Sequence, residues 1–325
     1  MKKIRGIGCL ILAFIFTFTG CASSSKEPIS CVDTLFDTVI NIQIYDDVSE
    51  NLLSECLTIC RDYENKFSRT KESSEIYQLN HANGQSVTLS DDTVELLELG
   101  IYYSKLSNGV FDITVGGLSE LWDFKNNTGT IPSQDKIKEA LSHVDYRNIR
   151  ITGNTVRLLD KEMIVDLGGI AKGYIADQLK EYLISQGVEH ALINLGGNVL
   201  AIGNKPDGTD FTIGIQKPFD ENGTAITALE INEQSLVSSG NYQRYFEKDN
   251  KIYHHILDTS TGYPQNNNLY GVTILCNSSA EADALSTICF SLGLEDGLAF
   301  INQYEGADAL FITDDMSIHY SNKMQ

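Results

Sequence analysis

Asp166-Leu167-Gly168-Gly169-Ile170-Ala171-Lys172-Gly173-Tyr174 joins two kinds of structure in one short stretch. The apolar pair Ile164-Val165 reads as the end of a strand, the glycines permit a tight turn, and Ile175, Leu179, Tyr182 and Leu183 recur at helical spacing beyond it. A glycine turn feeding a helix N-terminus leaves backbone N–H groups pointing outward, which is an anion site, and the missing Cβ atoms let a ligand approach the backbone. Asp166 is an unusual residue for a bare phosphate pocket; its carboxylate suits a base or ribose edge, or the neighbourhood of a cation. The pattern is neither GxxxxGK[ST] nor GxGxxG, so neither nucleotide signature applies. Taken alone, it also describes an ordinary strand–turn–helix joint.

Outward from this stretch the chain alternates groups of strands with helices. Upstream, Thr38–Tyr45 alternates apolar and polar residues as a strand, Leu52–Phe67 is helical, and Ser68–Asn80 is a polar loop ending in a short helical turn. Ser90-Asp91-Asp92 caps a helix running to Ser107, which Asn108-Gly109 ends, and Val110–Gly117 is a second glycine-ended apolar turn. Ile149–Leu159 reads as a hairpin about Gly153-Asn154 that leads to the strand before Asp166. Downstream, Ala191–Val199 is a buried strand broken at Gly196-Gly197; Phe211–Gln216, Thr227–Ile231 and Ser235–Ser238 are further strands. Tyr242–Phe246 is expected to pair with Tyr253–Leu257 across Lys248-Asp249-Asn250, followed by a strand Leu269–Cys276, a helix Ala280–Leu292 and a strand Ala309–Ile312. Grouped strands with intervening helices predict an α+β fold of mixed or antiparallel sheets, residues 31–325 forming one large domain.

Residues 1–20 read as an export signal: Lys2, Lys3 and Arg5 precede an apolar run from Ile7 to Phe18, and Thr19-Gly20-Cys21 closes it. A cysteine directly after a small residue looks like a bacterial lipobox, which makes Cys21 the expected lipidated first mature residue and residues 21–30 a polar tether. A cleaved soluble secretory protein or an uncleaved anchor are the other readings. The expected location is the extracytoplasmic face of the cell membrane. No segment after the leader is expected to be long and apolar enough to span a bilayer. Lys and Arg number 24 against 44 Asp and Glu, a net charge of −20, which becomes −23 without Lys2, Lys3 and Arg5. Such a surface repels nucleic acid and anionic lipid head groups. It also repels a phosphorylated ligand, so binding a pyrophosphate calls for a local divalent cation. Cys31, Cys56, Cys60, Cys276 and Cys289 remain after the leader and Cys21, an odd number with no CxxC spacing, so no disulfide or zinc role is expected; Cys56 and Cys60, at i and i+4 of a helical pattern, read as small buried hydrophobes.

Three further clusters carry chemistry. On a strand, His254 and His255 face opposite ways, so only one can face a given site and a His–His metal pair is not expected. On a helix, Asp283, Ser286 and Thr287 share a face and offer only oxygen ligands, which suits Mg²⁺ rather than zinc or copper; the alternative is capping by Ser278 and Ser279 with solvated polar residues behind. Ser238-Ser239-Gly240-Asn241-Tyr242 is a polar glycine turn that says little by itself.

Taken together, FDITVGG (Phe111–Gly117), DLGGIAKGY (Asp166–Tyr174), INLGGNV (Ile193–Val199), SSGNYQRYF (Ser238–Phe246), HHILDTSTGYP (His254–Pro264) and EADALST (Glu281–Thr287) resemble the ApbE family, the FAD:protein FMN transferases, in order and over most of the chain. The resemblance implies a Mg²⁺-dependent enzyme that cleaves FAD, attaches FMN through a phosphoester to a threonine or serine of an exported or membrane flavoprotein, and releases AMP. Implied acceptors include the flavin subunits of sodium-pumping quinone reductases and Rnf-type complexes. By the same resemblance Asp283, Ser286, Thr287 and the carbonyl of Gly169 match metal positions, and His255 matches the histidine that activates the acceptor hydroxyl. Asp166, Lys172, Phe111, Asp112 and Leu257 match FAD-contacting positions. Phe36 stands where the family carries the methionine of Met-Gly-Thr, and Thr70 where many members place an aromatic over the FAD. Asp258-Thr259 replaces the family's Asp-Pro. Two alternatives stay open: an FAD pyrophosphatase yielding FMN and AMP, and a flavin-binding lipoprotein without turnover.

Overall fold

The computed structural model describes residues 27–126, 129–220 and 222–324, so the leader and Cys21 lie outside the described residues. Its centre is an eight-stranded sheet: β1 (Ile29–Leu35), β2 (Thr38–Ile44), β3 (Ala191–Leu195), β4 (Asn198–Ile202), β5 (Ser235–Gly240), β6 (Leu269–Cys276), β7 (Ala307–Thr313) and β8 (Ile318–Tyr320). Spatial order follows chain order and every neighbouring pair is antiparallel. This is the antiparallel α+β arrangement expected, with β1 opening inside the stretch read as tether.

Both faces of the sheet are covered, which explains why its inner strands read as nearly continuous apolar runs. On one face Ile40, Ile42, Ile44, Ile193, Ile274 and Phe311 pack against α1 (Asn51–Phe67), α6 (Ala171–Ser185) and α7 (Ser279–Gln303). On the other, Val199, Ala201 and Leu236 meet Phe211 and Ile231 of the Phe211–Gln216/Ala225–Ile231 hairpin, while Leu310 and Ile312 meet Ile215. The alternation along β7, Ala309 and Phe311 one way and Leu310 and Ile312 the other, is the two-residue strand period with both sides buried. Each Val, Leu, Ile or Phe among these contributes roughly 1.5–3 kcal/mol by leaving water.

Between β2 and β3 the chain inserts α1, α2 (Glu75–Asn80), α3 (Asp91–Leu106), α4 (Gly116–Trp122), α5 (Gln134–Leu141) and the small sheet Val87–Thr88, Thr155–Leu158 and Ile149–Thr152. A second apolar cluster forms there from Leu118, Trp122, Phe124, Ile137, Phe246 and Leu257. Trp122 Nε1 donates to the carbonyl of Gly262 at 2.8 Å and stacks on Phe124, with ring centroids 5.6 Å apart, tying α4 to the loop after His255.

Local expectations change in three places. Ile164-Val165 is no strand: Ile164 makes one isolated parallel bridge to Val115, and the peptide groups of Val165 are taken by the Asn80 side chain, Nδ2 to O at 2.9 Å and N to Oδ1 at 2.8 Å. The hairpin after β5 pairs Tyr245–Lys248 with Lys251–His254, shorter than Tyr242–Phe246 with Tyr253–Leu257, because Asp249 and Asn250 adopt left-handed φ values of 52° and 58° in a tight turn that sets the register. Finally, the helix expected over Ala280–Leu292 does break at Gly293, whose φ of 81° and ψ of −176° are not helical, but a further helical segment follows this kink and takes α7 to Gln303. Its 25 residues are long and apolar enough to cross a membrane by composition, contrary to the expectation for segments after the leader. Ala282, Ala284, Leu285, Ile288, Cys289 and Phe290 spend that apolar character in the protein core.

Candidate active site

The glycine turn and α6 meet the first turns of α7 at the end of β5. Gly173 makes the approach possible: a Cβ there would lie 2.2 Å from the carbonyl oxygen of Ser279 and 2.6 Å from Cα of Ala280. With the helices this close, Asp283, only 4% exposed, accepts the backbone N–H of Gly173 on Oδ2 at 3.0 Å, and Lys172 Nζ stands 3.4 Å from the same oxygen. Lys172 Nζ also reaches the Gly168 carbonyl at 3.4 Å.

One turn along α7, Ser286 is buried and Thr287 partly buried, and both hydroxyls back-bond to the Asp283 carbonyl, at 2.9 and 3.5 Å. Ser239, from the end of β5, completes the group with its Oγ 2.7 Å from Ser286 Oγ and 3.4 Å from Thr287 Oγ1. Gly169 borders it: a Cβ there would meet Phe111 Cε2 at 3.0 Å and Thr287 Oγ1 at 3.7 Å. One buried carboxylate, three hydroxyls and a bare glycine backbone form an oxygen-only set, the chemistry a hard divalent cation selects. Among the described residues no three His, Cys, Asp or Glu side chains come together as ligands for a softer metal.

Asp166 sits at the mouth of the turn. Its Oδ1 accepts the Gly168 N–H at 2.9 Å and its Oδ2 pairs with Arg69 Nε at 3.0 Å, while Arg69 Nη1 holds Glu120 at 3.0 Å. His255 lies just past the end of its strand, with its N–H on the Arg244 carbonyl at 3.1 Å. Its Nδ1 is enclosed and has no hydrogen-bond partner. Burial, then the charges of His254, Arg244 and Lys172, push its pKa down to about 3, so the ring is neutral near pH 7. His254 is held apart: its ring donates Nε2–H to the Gln265 carbonyl at 2.9 Å and lies edge-on to Phe290.

Other expected positions stand outside this group. Asp112 is buried and both its oxygens are engaged, Oδ1 by Thr114 N and Oγ1 at 2.8 and 2.6 Å and Oδ2 by Tyr146 N at 3.0 Å. Its pKa is raised by burial against those bonds. Leu257 belongs to the Trp122 cluster, bridging to Pro264. Phe36 occupies the β1–β2 turn at φ 55° with its N–H on Glu64, and Thr70 is exposed beside Arg69.

The ApbE family model matches residues 36–311, from the β1–β2 turn to β7. The chain belongs to the ApbE family. It is 37% identical over 291 residues to the FAD:protein FMN transferase of Klebsiella pneumoniae (strain 342), covering 89% of this chain and 90% of that protein. The FAD:protein FMN transferase of Treponema pallidum (strain Nichols) is 32% identical over 285 residues, 83% and 79% of the two chains. Among solved structures, the ApbE protein of Thermotoga maritima superposes with a TM-score of 0.85 at 30% identity, over 92% of this chain and 98% of that one. The flavin transferase ApbE of Vibrio cholerae gives 0.80 at 27% identity, over 90% and 96%.

Two residues of this ApbE site are not legible in the sequence. Ser239, in a stretch that reads as a polar glycine turn, is instead the end of strand β5, and its meaning emerges only where β5 meets α7. Arg69 lies in a polar loop, and nothing local marks it as the partner of Asp166.

Proposed function

We propose that this ApbE-family chain is an FAD:protein FMN transferase, moving FMN from FAD to a threonine or serine hydroxyl of an acceptor flavoprotein and releasing AMP. One observation carries the reading: the Asp283–Ser286–Thr287 face of α7 and the Gly168-Gly169 turn, far apart in sequence, converge with Ser239 and Lys172 on one spot. The near-full-length similarity to named transferases supports it.

In the transfer, the acceptor oxygen forms a bond to the FMN phosphorus, the bond from that phosphorus to the bridging oxygen breaks, and AMP leaves with the electron pair. His255 takes the hydroxyl proton. Its ring is neutral near pH 7 and so keeps a lone pair that can take the proton, and the negative charge of a bound pyrophosphate favours the imidazolium that results. Lys172 brings a positive charge to the same end of α6, and Asp166, fixed by Arg69 and Gly168, presents acceptors beside it. Phe111 lies against the Gly169 turn, its Cε2 3.0 Å from where a Cβ would stand, which puts an aromatic ring beside the oxygen donors.

The donor set fits Mg²⁺: Asp283, Ser286, Thr287 and the Gly169 carbonyl would hold the ion, with Ser239 against them. When bound, Mg²⁺ supplies charge neutralisation and Lewis-acid polarisation to the pyrophosphate, which this strongly acidic chain needs. The leader and Cys21 support a lipid-anchored enzyme acting on exported acceptors at the extracytoplasmic face of the membrane.

The test is purified protein with FAD and Mg²⁺, with and without an exported flavoprotein carrying an exposed threonine or serine acceptor segment. An acid-stable fluorescent acceptor heavier by one FMN is the expected result. Free FMN and AMP without labelling would show a pyrophosphatase instead, and bound FAD without turnover a binding protein.

A further inference from the structure

Helices α6 and α7 exchange carboxylates where they cross. Asp283 of α7 takes the Gly173 N–H in the first turn of α6 at 3.0 Å. In return Asp177, one turn further along α6, takes the start of α7: Ser278 Oγ donates to Oδ2 at 2.8 Å, Ser279 N to Oδ1 at 2.8 Å and Ala280 N to Oδ2 at 2.9 Å. The closest backbone approach, Gly173 against Ser279 and Ala280, lies between the two grips.

We propose that Asp177 is a positioning residue for the site: it sets the register of α7 on α6, and so places Asp283, Ser286 and Thr287 against the glycine turn. Asp283, Ser286 and Thr287 ride on one helix, whereas Gly169 belongs to the turn that precedes the other. Sliding α7 along α6 therefore shifts three of the oxygen donors together, away from the fourth, without altering any of them. Ser235 and Asn198 reinforce the register from the sheet, through Ser279 Oγ at 2.8 and 2.6 Å. A cap with no such role would still stabilise the helix by about 0.5–2 kcal/mol, so stability alone does not discriminate.

The inference rests on the metal reading of the site, and its test separates the two. Mg²⁺ is titrated into the purified wild-type protein and Asp177→Asn while thermal stability and FMN transfer are followed, and hydrogen exchange is measured over α6. Asn keeps the volume and one acceptor but loses the charge. The expected result is a Mg²⁺ midpoint raised about 10–100-fold in both readouts, as for other residues that hold metal ligands in place. Transfer should recover at high Mg²⁺, and the peptide containing Gly173 should exchange faster. Ser278→Ala, which removes one donor of three, should shift the midpoint the same way by less and guards against a misfolded Asp177 variant. Wild-type midpoints in both variants overturn the inference. A wild-type protein with no saturable response to Mg²⁺ overturns the metal reading and the inference with it.

Discussion

Asp283 Oδ2 accepts the Gly173 amide at 3.0 Å, so a single carboxylate closes the first turn of α6 and also belongs to the oxygen set of the site, one turn before Ser286 and Thr287. Those two roles are separable. Asp283→Asn retains a carbonyl oxygen for Gly173 and should remain within about 1 kcal/mol of wild-type stability, while losing the charge a cation needs. Asp283→Ala leaves the buried Gly173 N–H unpaired, a further cost of about 1–3 kcal/mol. Both should lose more than about 100-fold in FMN transfer, beyond the range typical of residues that only support a metal ligand. Urea unfolding beside a transfer assay distinguishes them; an active Asn variant would remove Asp283 from the metal set.

Gly173 makes a second case. It lies in a helix, where alanine is ordinarily better by about 1 kcal/mol. Here the added methyl would meet the Ser279 carbonyl at 2.2 Å, and a backbone atom cannot rotate away. Gly173→Ala should therefore destabilise by about 1–3 kcal/mol and raise the Mg²⁺ requirement, because α7 must back off and carry Asp283 with it. A more stable Ala variant would mean the two helices are not in contact there.

His255 is the group with most to lose chemically and least structurally. Its backbone N–H makes the bond to Arg244, and its Nδ1 makes none. His255→Gln should fold, bind FAD with unchanged affinity and lose about 10²–10⁴-fold in transfer, the usual range for a general base. Wild-type transfer by this variant would end its proposed role.

The parts of the fold that read directly from the sequence are those set by local periodicity. Ile40, Ile42 and Ile44 on β2, and Leu53, Cys56, Cys60 and Phe67 on α1, announce their elements because each buries one face. What periodicity could not supply was partners distant in the chain. Val165 looks like a strand residue because it is apolar and buried, but its peptide groups are satisfied by the Asn80 side chain 85 residues away, which no spacing rule anticipates. The helix expected to end at Leu292 does break at Gly293, and what the sequence leaves unmarked is the second helical segment that follows the kink to Gln303. The site divides the same way. The shared face of Asp283, Ser286 and Thr287 follows from helical spacing. Ser239 joins only because β5 ends beneath α7, and Asp112, adjacent to a glycine turn, proves to be occupied by Thr114 of its own loop and by the amide of Tyr146 from farther along the chain.

Arg69 offers a test of the cleft that leaves the oxygen cluster alone. It bridges Asp166 and Glu120 at 3.0 Å each while remaining 24% exposed in its side chain. Such a pair contributes about 0.2–1 kcal/mol, so Arg69→Ala should fold nearly as well as wild type. Freed from Arg69, Asp166 keeps only the Gly168 amide and its position loosens. The expected outcome is a several-fold rise in KM for FAD with kcat little changed. An unaltered KM would mean that Asp166 does not contact FAD.

Acid stability provides the last prediction, through His254. The ring is 3% exposed, its Nε2–H is committed to the Gln265 carbonyl, and Nδ1 is enclosed without an acceptor. Burial pushes its pKa down from 6.5 to about 4. Between those values the unfolded chain takes up a proton that the folded chain refuses, so unfolding gains as pH falls. The stabilisation is complete above the ordinary histidine value and is lost toward the folded one. The slope for one such group is at most about 1.4 kcal/mol per pH unit. Asp112 and Asp177, raised by burial, act with the opposite sign, but they do so equally in wild type and in a His254 variant. His254→Leu should therefore be less stable at pH 7, having lost the Gln265 bond, yet lose less stability than wild type between pH 6.5 and 4. Urea unfolding across that range reads the difference directly, and parallel pH profiles would show that His254 is protonated as readily in the fold as outside it.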